Sequence, residues 1–180
     1  LATATSLADG SVLVVGGASR INMDPAGEMP LDVNTTDLEA SFEVYLPAED
    51  IWIRKPLPNA EGRVFHTATA LGDGRVLVAG GGTGLTDAMN TAILFDPTGE
   101  SVGDFVSAGS LMNAPRLGHA AVLNDEGNVL IIGGSIYPTA QAVEEYDAAV
   151  DVFNTRAVPS LNYFFHTAAP VPLHPGQILV

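Results

Sequence analysis

Three histidines stand at equivalent points of the chain. His66, His119 and His166 each sit second in a similar phrase: FHTA at 65–68, GHAA at 118–121 and FHTA at 165–168. Imidazoles move protons and ligate metals, and three of them on one centre would make most of a metal site. Their repetition argues for a different role. A catalytic centre draws unlike residues from different segments, whereas a residue that recurs at one slot serves each repeat alike. The expectation is therefore structural: each ring buried in its own unit and bonded to local backbone or a nearby hydroxyl, as buried polar groups require. The ring nitrogens should not converge, and no metal or cofactor is expected.

Arg63 and Arg116 stand three residues before His66 and His119, and Tyr163 holds that slot before His166. Two roles are open to them. The arginines can bond backbone carbonyls between units, or Arg63, Arg116 and Tyr163 can meet an anionic or sugar ligand, since guanidinium makes planar, bidentate contacts. The loop at 18–40 carries Asp24, Glu28, Asp32, Asp37 and Glu39, oxygens of the kind calcium takes. Its phrase DPAGEMPLD lacks the EF-hand spacing, so a solvated loop is the expectation. Asn34-Thr35-Thr36 is a glycosylation sequon, a motif short enough to arise by chance. No Ser-His-Asp set and no carboxylate pair suggests itself as catalytic.

Composition bounds the partners. The 180 residues are 47% hydrophobic and 16% charged, too apolar for a disordered chain. A formal charge of −14 with only 7 Lys and Arg excludes nucleic acid, because phosphate binding needs a basic surface. It also argues against anionic membrane surfaces. No apolar run approaches the length of a membrane-spanning helix. The absence of cysteine excludes disulfides, thiolate ligands and thiol nucleophiles.

The elements that must position these residues come from an internal repeat. One phrase reads LATATSLADGSVLVVGG from Leu1, FHTATALGDGRVLVAGG from Phe65, GHAAVLNDEGNVLIIGG from Gly118 and FHTAAPVPLHPGQILV from Phe165. Each copy predicts a hairpin, with turns at Asp9-Gly10, Asp73-Gly74, Glu126-Gly127 and Pro175-Gly176. Asp-Gly suits type I′ turns, which need positive φ. The second strands, Val12–Val15, Val76–Ala79 and Val129–Ile132, are wholly apolar, so burial on both faces and near-zero exposure are expected. The pairs Gly16-Gly17, Gly80-Gly81 and Gly133-Gly134 follow, at positive φ or in close backbone contact. A third strand then carries Tyr45, Phe95 or Tyr146, spaced 50 and 51 residues apart, and a fourth carries Trp52, Phe105 or Phe153.

Glycine pair, then tyrosine in a VxVYDP-like strand, then tryptophan resembles the kelch motif, here in three full copies and the start of a fourth. The resemblance implies an all-β fold, a kelch-type β-propeller with about fifteen strands in about three and a half four-stranded blades. The units are 1–64, 65–117, 118–164 and an incomplete 165–180. Because propellers have about 4–8 blades, the remaining blades are expected from the same chain or from an assembly. The segment GRVFHTATALGDGRVLVAGGG also resembles the propeller of the galactose oxidase and glyoxal oxidase group. Those enzymes carry a Tyr-His pair as copper ligands and a tyrosine crosslinked to cysteine. Here the pairs are Phe65-His66 and Phe165-His166, and there is no cysteine. A phenyl ring cannot ligate copper, so the resemblance supports the fold and counts against that chemistry.

The reading is a non-catalytic propeller binding a protein or a glycan, placed outside the cell or on its surface. The alternative is the propeller part of an oxidase or sugar-processing enzyme whose catalytic residues lie partly in other blades. Fold alone does not choose between them.

Overall fold

The structure, a computed structural model, describes residues 1–20, 37–99, 101–134, 143–156, 165–170 and 177–180. Tyr163, Asp24, Glu28, Asp32, the sequon at 34–36 and the turn at Pro175-Gly176 lie outside the described residues. The fold is all-β, a partial propeller. Blade 1 comprises β1 (Thr3–Ser6), β2 (Val12–Val15), β3 (Ser41–Leu46) and β4 (Ile51–Pro56). Blade 2 comprises β5 (Thr67–Ala70), β6 (Val76–Ala79), β7 (Ala92–Asp96) and β8 (Asp104–Ser107). Blade 3 comprises β9 (Ala120–Leu123), β10 (Val129–Ile132), β11 (Val143–Asp147) and β12 (Val152–Arg156). The pair β13 (Ala169–Pro170) and β14 (Ile178–Leu179) begins blade 4. Each full blade is an antiparallel meander in simple sequence order. The first strands β1, β5, β9 and β13 contact one another in succession and form the inner edge of the stack.

The hairpin turns differ from the type I′ expectation. Gly10, Gly74 and Gly127 have φ of 88°, 91° and 84°, but the acidic residue before each glycine is not at positive φ. The Gly10 amide donates to the Leu7 carbonyl, and the Leu7 amide to the Ser11 carbonyl, with the same pattern at Leu71–Arg75 and Asn124–Asn128. This is a type I turn closed by a left-handed glycine, the usual three-residue hairpin loop. The side chain explains the choice: Asp9 Oδ1 accepts the Ser11 amide at 2.9 Å, and Asp73 Oδ1 accepts the Arg75 amide at 3.0 Å, a local bond available to Asp in the right-handed turn region.

Burial follows position in the stack. In blade 2 every residue of Val76–Ala79 is buried. Val76, Val78 and Phe95 pack on Leu13, Val15, Phe42 and Val44 of blade 1. On the opposite face, Leu77, Ala79 and Leu94 pack on Val129, Ile131 and Tyr146 of blade 3. Two of the expected near-zero exposures fail. In β2 only Leu13 and Val15 are buried while Val12 and Val14 are half-buried, and in β10 Leu130 is half-buried. Val12 and Val14 lie on the face of blade 1 that no described blade covers, and Leu130 faces the short β13–β14 pair. The tyrosine-slot and tryptophan-slot aromatics are cross-strand partners in all three blades: Tyr45 and Trp52, Phe95 and Phe105, Tyr146 and Phe153. Their ring centroids are 4.9, 5.3 and 5.0 Å apart, and such pairs add stability beyond the area they bury.

The glycine pairs are where blades join. Gly16, Gly17, Gly80, Gly81, Gly133 and Gly134 all have positive φ, between 59° and 102°. The Gly17 amide donates to the Arg63 carbonyl of blade 2, and the Gly81 amide to the Arg116 carbonyl of blade 3. A Cβ at Gly16 or Gly80 would sit 2.5 Å from those same carbonyl oxygens. Glycine is therefore required twice over, by backbone conformation and by the neighbouring blade.

Candidate functional site at the inner strand ends

The site grows from the residues that lead into the four inner strands. Blade by blade these are Leu1-Ala2, Phe65-His66, Gly118-His119 and Phe165-His166, and together they line an open cavity of about 270 Å³. Phe65, Gly118 and Phe165 have φ of 58°, 61° and 53°. The left-handed region is natural for glycine but strained for phenylalanine, by about 1–3 kcal/mol. The neighbouring blades hold it there. The Gly118 amide donates to the Phe65 carbonyl at 2.9 Å and the Phe165 amide to the Gly118 carbonyl at 2.7 Å. The same turn brings the Phe65 and Phe165 rings edge to face, with centroids 5.3 Å apart. Gly118 makes that meeting possible, because a Cβ there would lie 2.9 Å from Phe165 Cε1. Phe165 remains 60% exposed, so its ring faces solvent rather than the core.

Beneath the rings lie His66 and His119, each 5% exposed. His66 Nε2 is 2.9 Å from the Thr3 hydroxyl and His119 Nε2 is 2.8 Å from the Thr67 hydroxyl. The hydroxyl partner was expected, but its place was not: it belongs to the preceding blade, so each histidine ties two inner strands together. Burial, reinforced by the nearby Arg63 guanidinium, pushes the His66 pKa down to about 3. Burial, with Arg116 beside it, does the same to His119, to about 3. Both rings are therefore neutral at physiological pH and are too weak as bases for proton transfer there. His166 is half-buried, and desolvation lowers its pKa. The slot equivalent to Thr3 and Thr67 is Ala120 in blade 3, which offers His166 no hydroxyl.

Arg63 and Arg116 are 1% exposed. Arg63 Nη1 donates to the Gly80 carbonyl at 3.2 Å and the Thr91 carbonyl at 3.4 Å, and Nη2 to Thr91 Oγ1 at 3.2 Å. Arg116 Nη1 donates to the Gly133 carbonyl at 2.8 Å and Nε to Glu144 Oε1 at 3.0 Å. Both guanidinium groups point inward onto the second and third strands of their own blades. The structure thus places both guanidinium groups in the backbone-bonding role considered for them, and Arg63 Nη2 also donates to Glu61 Oε2 at 3.4 Å. Glu144, also 1% exposed, accepts the Asn113 and Ala114 amides besides Arg116. Reading the sequence alone missed Glu144. The available signal was a carboxylate recurring, as Glu43 and Glu144, in the register slot that Ile93 fills in blade 2. The left-handed phenylalanines were missed as well, although Gly118 at their slot hinted at positive φ.

Among the described residues no group of three or more His, Asp or Glu side chains is placed to hold a metal ion. The rings at the cavity mouth are phenyl, and the histidine Nε2 atoms beneath them face threonine hydroxyls. This donor set does not fit a copper centre of the Tyr-His type.

No protein-family profile matches the sequence, and no curated protein matches it. Solved structures do. A fungal alcohol oxidase of the AA5 family, described as novel, catalytically diverse and in complex with copper, aligns at 17% identity with a TM-score of 0.59, covering 85% of this chain. The protein YjhT aligns at 12% identity with a TM-score of 0.69, covering 95% of this chain. At these identities the likeness is one of fold, a propeller shared with a galactose-oxidase-like enzyme. The chain spans 29% of the oxidase and 59% of YjhT.

Proposed function

We propose that this chain is the binding part of a kelch propeller and that its ligand seats on the Phe65–Phe165 pair at the inner strand ends. The observation that carries the reading is the aromatic pair, Phe165 exposed and Phe65 half-buried, held at positive φ by inter-blade hydrogen bonds. Strain of this kind persists where surrounding structure maintains it, commonly at ligand clamps. The chemistry offered is apolar and aromatic above two neutral, deeply desolvated imidazoles. It suits a saccharide ring with a CH-rich face or an aliphatic side chain of a protein partner, and it offers no general acid, base or nucleophile. An extracellular or cell-surface placement is supported by the acidic composition and by the family resemblance.

The test is a glycan array and a peptide array probed with the wild type and with Phe165→Ala. Phe165 is exposed, so its loss should leave the melting temperature within about 2 °C. Binders of the wild type should lose at least tenfold in signal with Phe165→Ala; undiminished binding by the variant would refute the site. The enzymatic alternative has its own readout. The protein incubated with copper and primary alcohols or aldehydes should release no hydrogen peroxide above background, and sustained release would establish an oxidase instead.

A further inference from the structure

Arg63 and Arg116 hold the same loop slot, but their counter-charges come from different places. In blade 3 the carboxylate comes from the third strand: the buried Glu144 accepts Arg116 Nε at 3.0 Å. In blade 2 the register slot of Glu144 holds Ile93, and the carboxylate comes from the loop instead. Glu61 Oε2 lies 3.4 Å from Arg63 Nη2, and the Glu61 side chain is 43% exposed. The sequence shows how. Between Asn-Ala and the arginine, blade 2 has Glu61-Gly62 where blade 3 has only Pro115. The longer loop turns over: Asn59 and Ala60 have φ of 56° and 53°, and the Glu61 amide donates to the Pro58 carbonyl. Asn113 and Ala114 instead give their amides to Glu144. Arg63 is left less well matched than Arg116. Its Nε, the atom that in Arg116 meets Glu144, is buried with no hydrogen-bond partner among the described residues. Burial works to lower the Arg63 pKa, and the Glu61 charge opposes it.

Arg63 is also where the Phe65 wall of the cavity is anchored. Its carbonyl accepts the Gly17 amide of blade 1, Val64 exchanges two bonds with Gly82, and the Phe65 carbonyl accepts the Gly118 amide of blade 3. Residues 63–65 thus run as a rail between the blades, and the guanidinium fixes one end of it on the Gly80 carbonyl and the Thr91 hydroxyl. We propose, building on the aromatic-pair site above, that Glu61 is a positioning residue for that site: through Arg63 it keeps Phe65 in its left-handed place against Phe165. Without the Glu61 charge the guanidinium keeps only neutral acceptors, and a buried charge without a counter-ion is costly. Moving the guanidinium toward solvent relieves that cost and pulls residues 63–65 with it. The Gly118 wall does not depend on an exposed group in this way, because Glu144 is buried together with Arg116.

Amide hydrogen exchange followed by NMR, wild type against Glu61→Gln, tests this without a ligand. The Gly17 and Gly118 amides, which donate to the Arg63 and Phe65 carbonyls, should exchange roughly fivefold faster or more in the variant. The Leu117 amide, which donates to the Gly134 carbonyl and follows the arginine held by Glu144, should be unchanged. Unaltered exchange at Gly118 would overturn the proposal. So would equal acceleration at all three amides, which is a general loss of stability. Adding Ile93→Glu to Glu61→Gln returns a carboxylate to the slot that Glu144 uses, and should bring Gly118 exchange to within about twofold of the wild type. Fast exchange in a double variant that melts no lower than the single one would refute the route through Arg63. Binders found on the arrays complete the test. Glu61→Gln should lose affinity several-fold, and undiminished affinity beside a faster Gly118 amide would show that Phe65 needs no positioning. The two readings fail separately: Phe165→Ala without effect sinks the site, whereas loss with Phe165→Ala but none with Glu61→Gln sinks only the positioning role.

Discussion

Mild acid should destabilise this protein, and the main cause is the pair of buried histidines. His66 and His119 have folded-state pKa values of about 3 against an ordinary value of 6.5. Between those limits the unfolded chain binds more protons than the folded one, so stability falls as the pH falls. Their contribution is fully present above pH 6.5, declines on acidification and is exhausted near pH 3. At pH 5 an unfolded imidazole is almost wholly protonated while the buried one is not. The difference is about 2 kcal/mol per ring, so about 4 kcal/mol for the two. That is a large share of the roughly 5–15 kcal/mol that holds a domain folded. Asp9, held low by the Ser11 hydroxyl, and Asp96, held low by the Thr98 hydroxyl, take up protons only at lower pH, while His166, lowered by desolvation, adds to the histidine loss. Urea unfolding followed by circular dichroism at pH 7 and pH 5 measures the loss. The variant His119→Gln can still bond the Thr67 hydroxyl but does not titrate, so it should lose about 2 kcal/mol less than the wild type over the same interval. An identical pH dependence in wild type and variant would show that His119 is not buried in its neutral form.

Two further perturbations test the joints between blades. Gly80→Val places a branched side chain at φ 59° with its Cβ 2.5 Å from the Arg116 carbonyl oxygen; destabilisation above about 2 kcal/mol is expected by chemical denaturation, and an unchanged midpoint would show the contact is not made. Glu144→Ala strands the Arg116 guanidinium in the interior and should cost about 3–5 kcal/mol, while Arg116→Met in the same chain should recover part of the loss; no recovery would mean that the pair is not coupled.

Much of each blade was legible because it is written locally. The tyrosine and tryptophan slots landed opposite one another, as in Tyr146 and Phe153, because a short third-to-fourth-strand connection leaves little freedom of register. The turn glycines were foreseen, although the turn type was not. Asp9 and Asp73 prefer to bond the backbone ahead of them, and that preference is visible only once the loop length is known. The roles of Arg63 and Arg116 were left between two alternatives, since arginine before an inner strand can point either way. Burial in the stack turned both inward. The candidate cavity was least legible, because its four walls come from residues about fifty apart.

What this sequence determined by itself was the repeat: its period, the strands, the glycine pairs that end the second strand and the aromatic slots on the third and fourth. Each rests on alternation, propensity or backbone conformation within a few residues. What only the tertiary structure decided was everything that crosses between blades. It set the left-handed Phe65 and Phe165 meeting over Gly118, the bond from each histidine to the threonine of the preceding blade, the burial of Arg116 on Glu144, and the half-buried Val12 and Val14 on the first blade. The physical reason is that an inter-blade contact depends on how two sheets are rotated and stacked. That packing is a collective result of many apolar side chains rather than a property of any short segment.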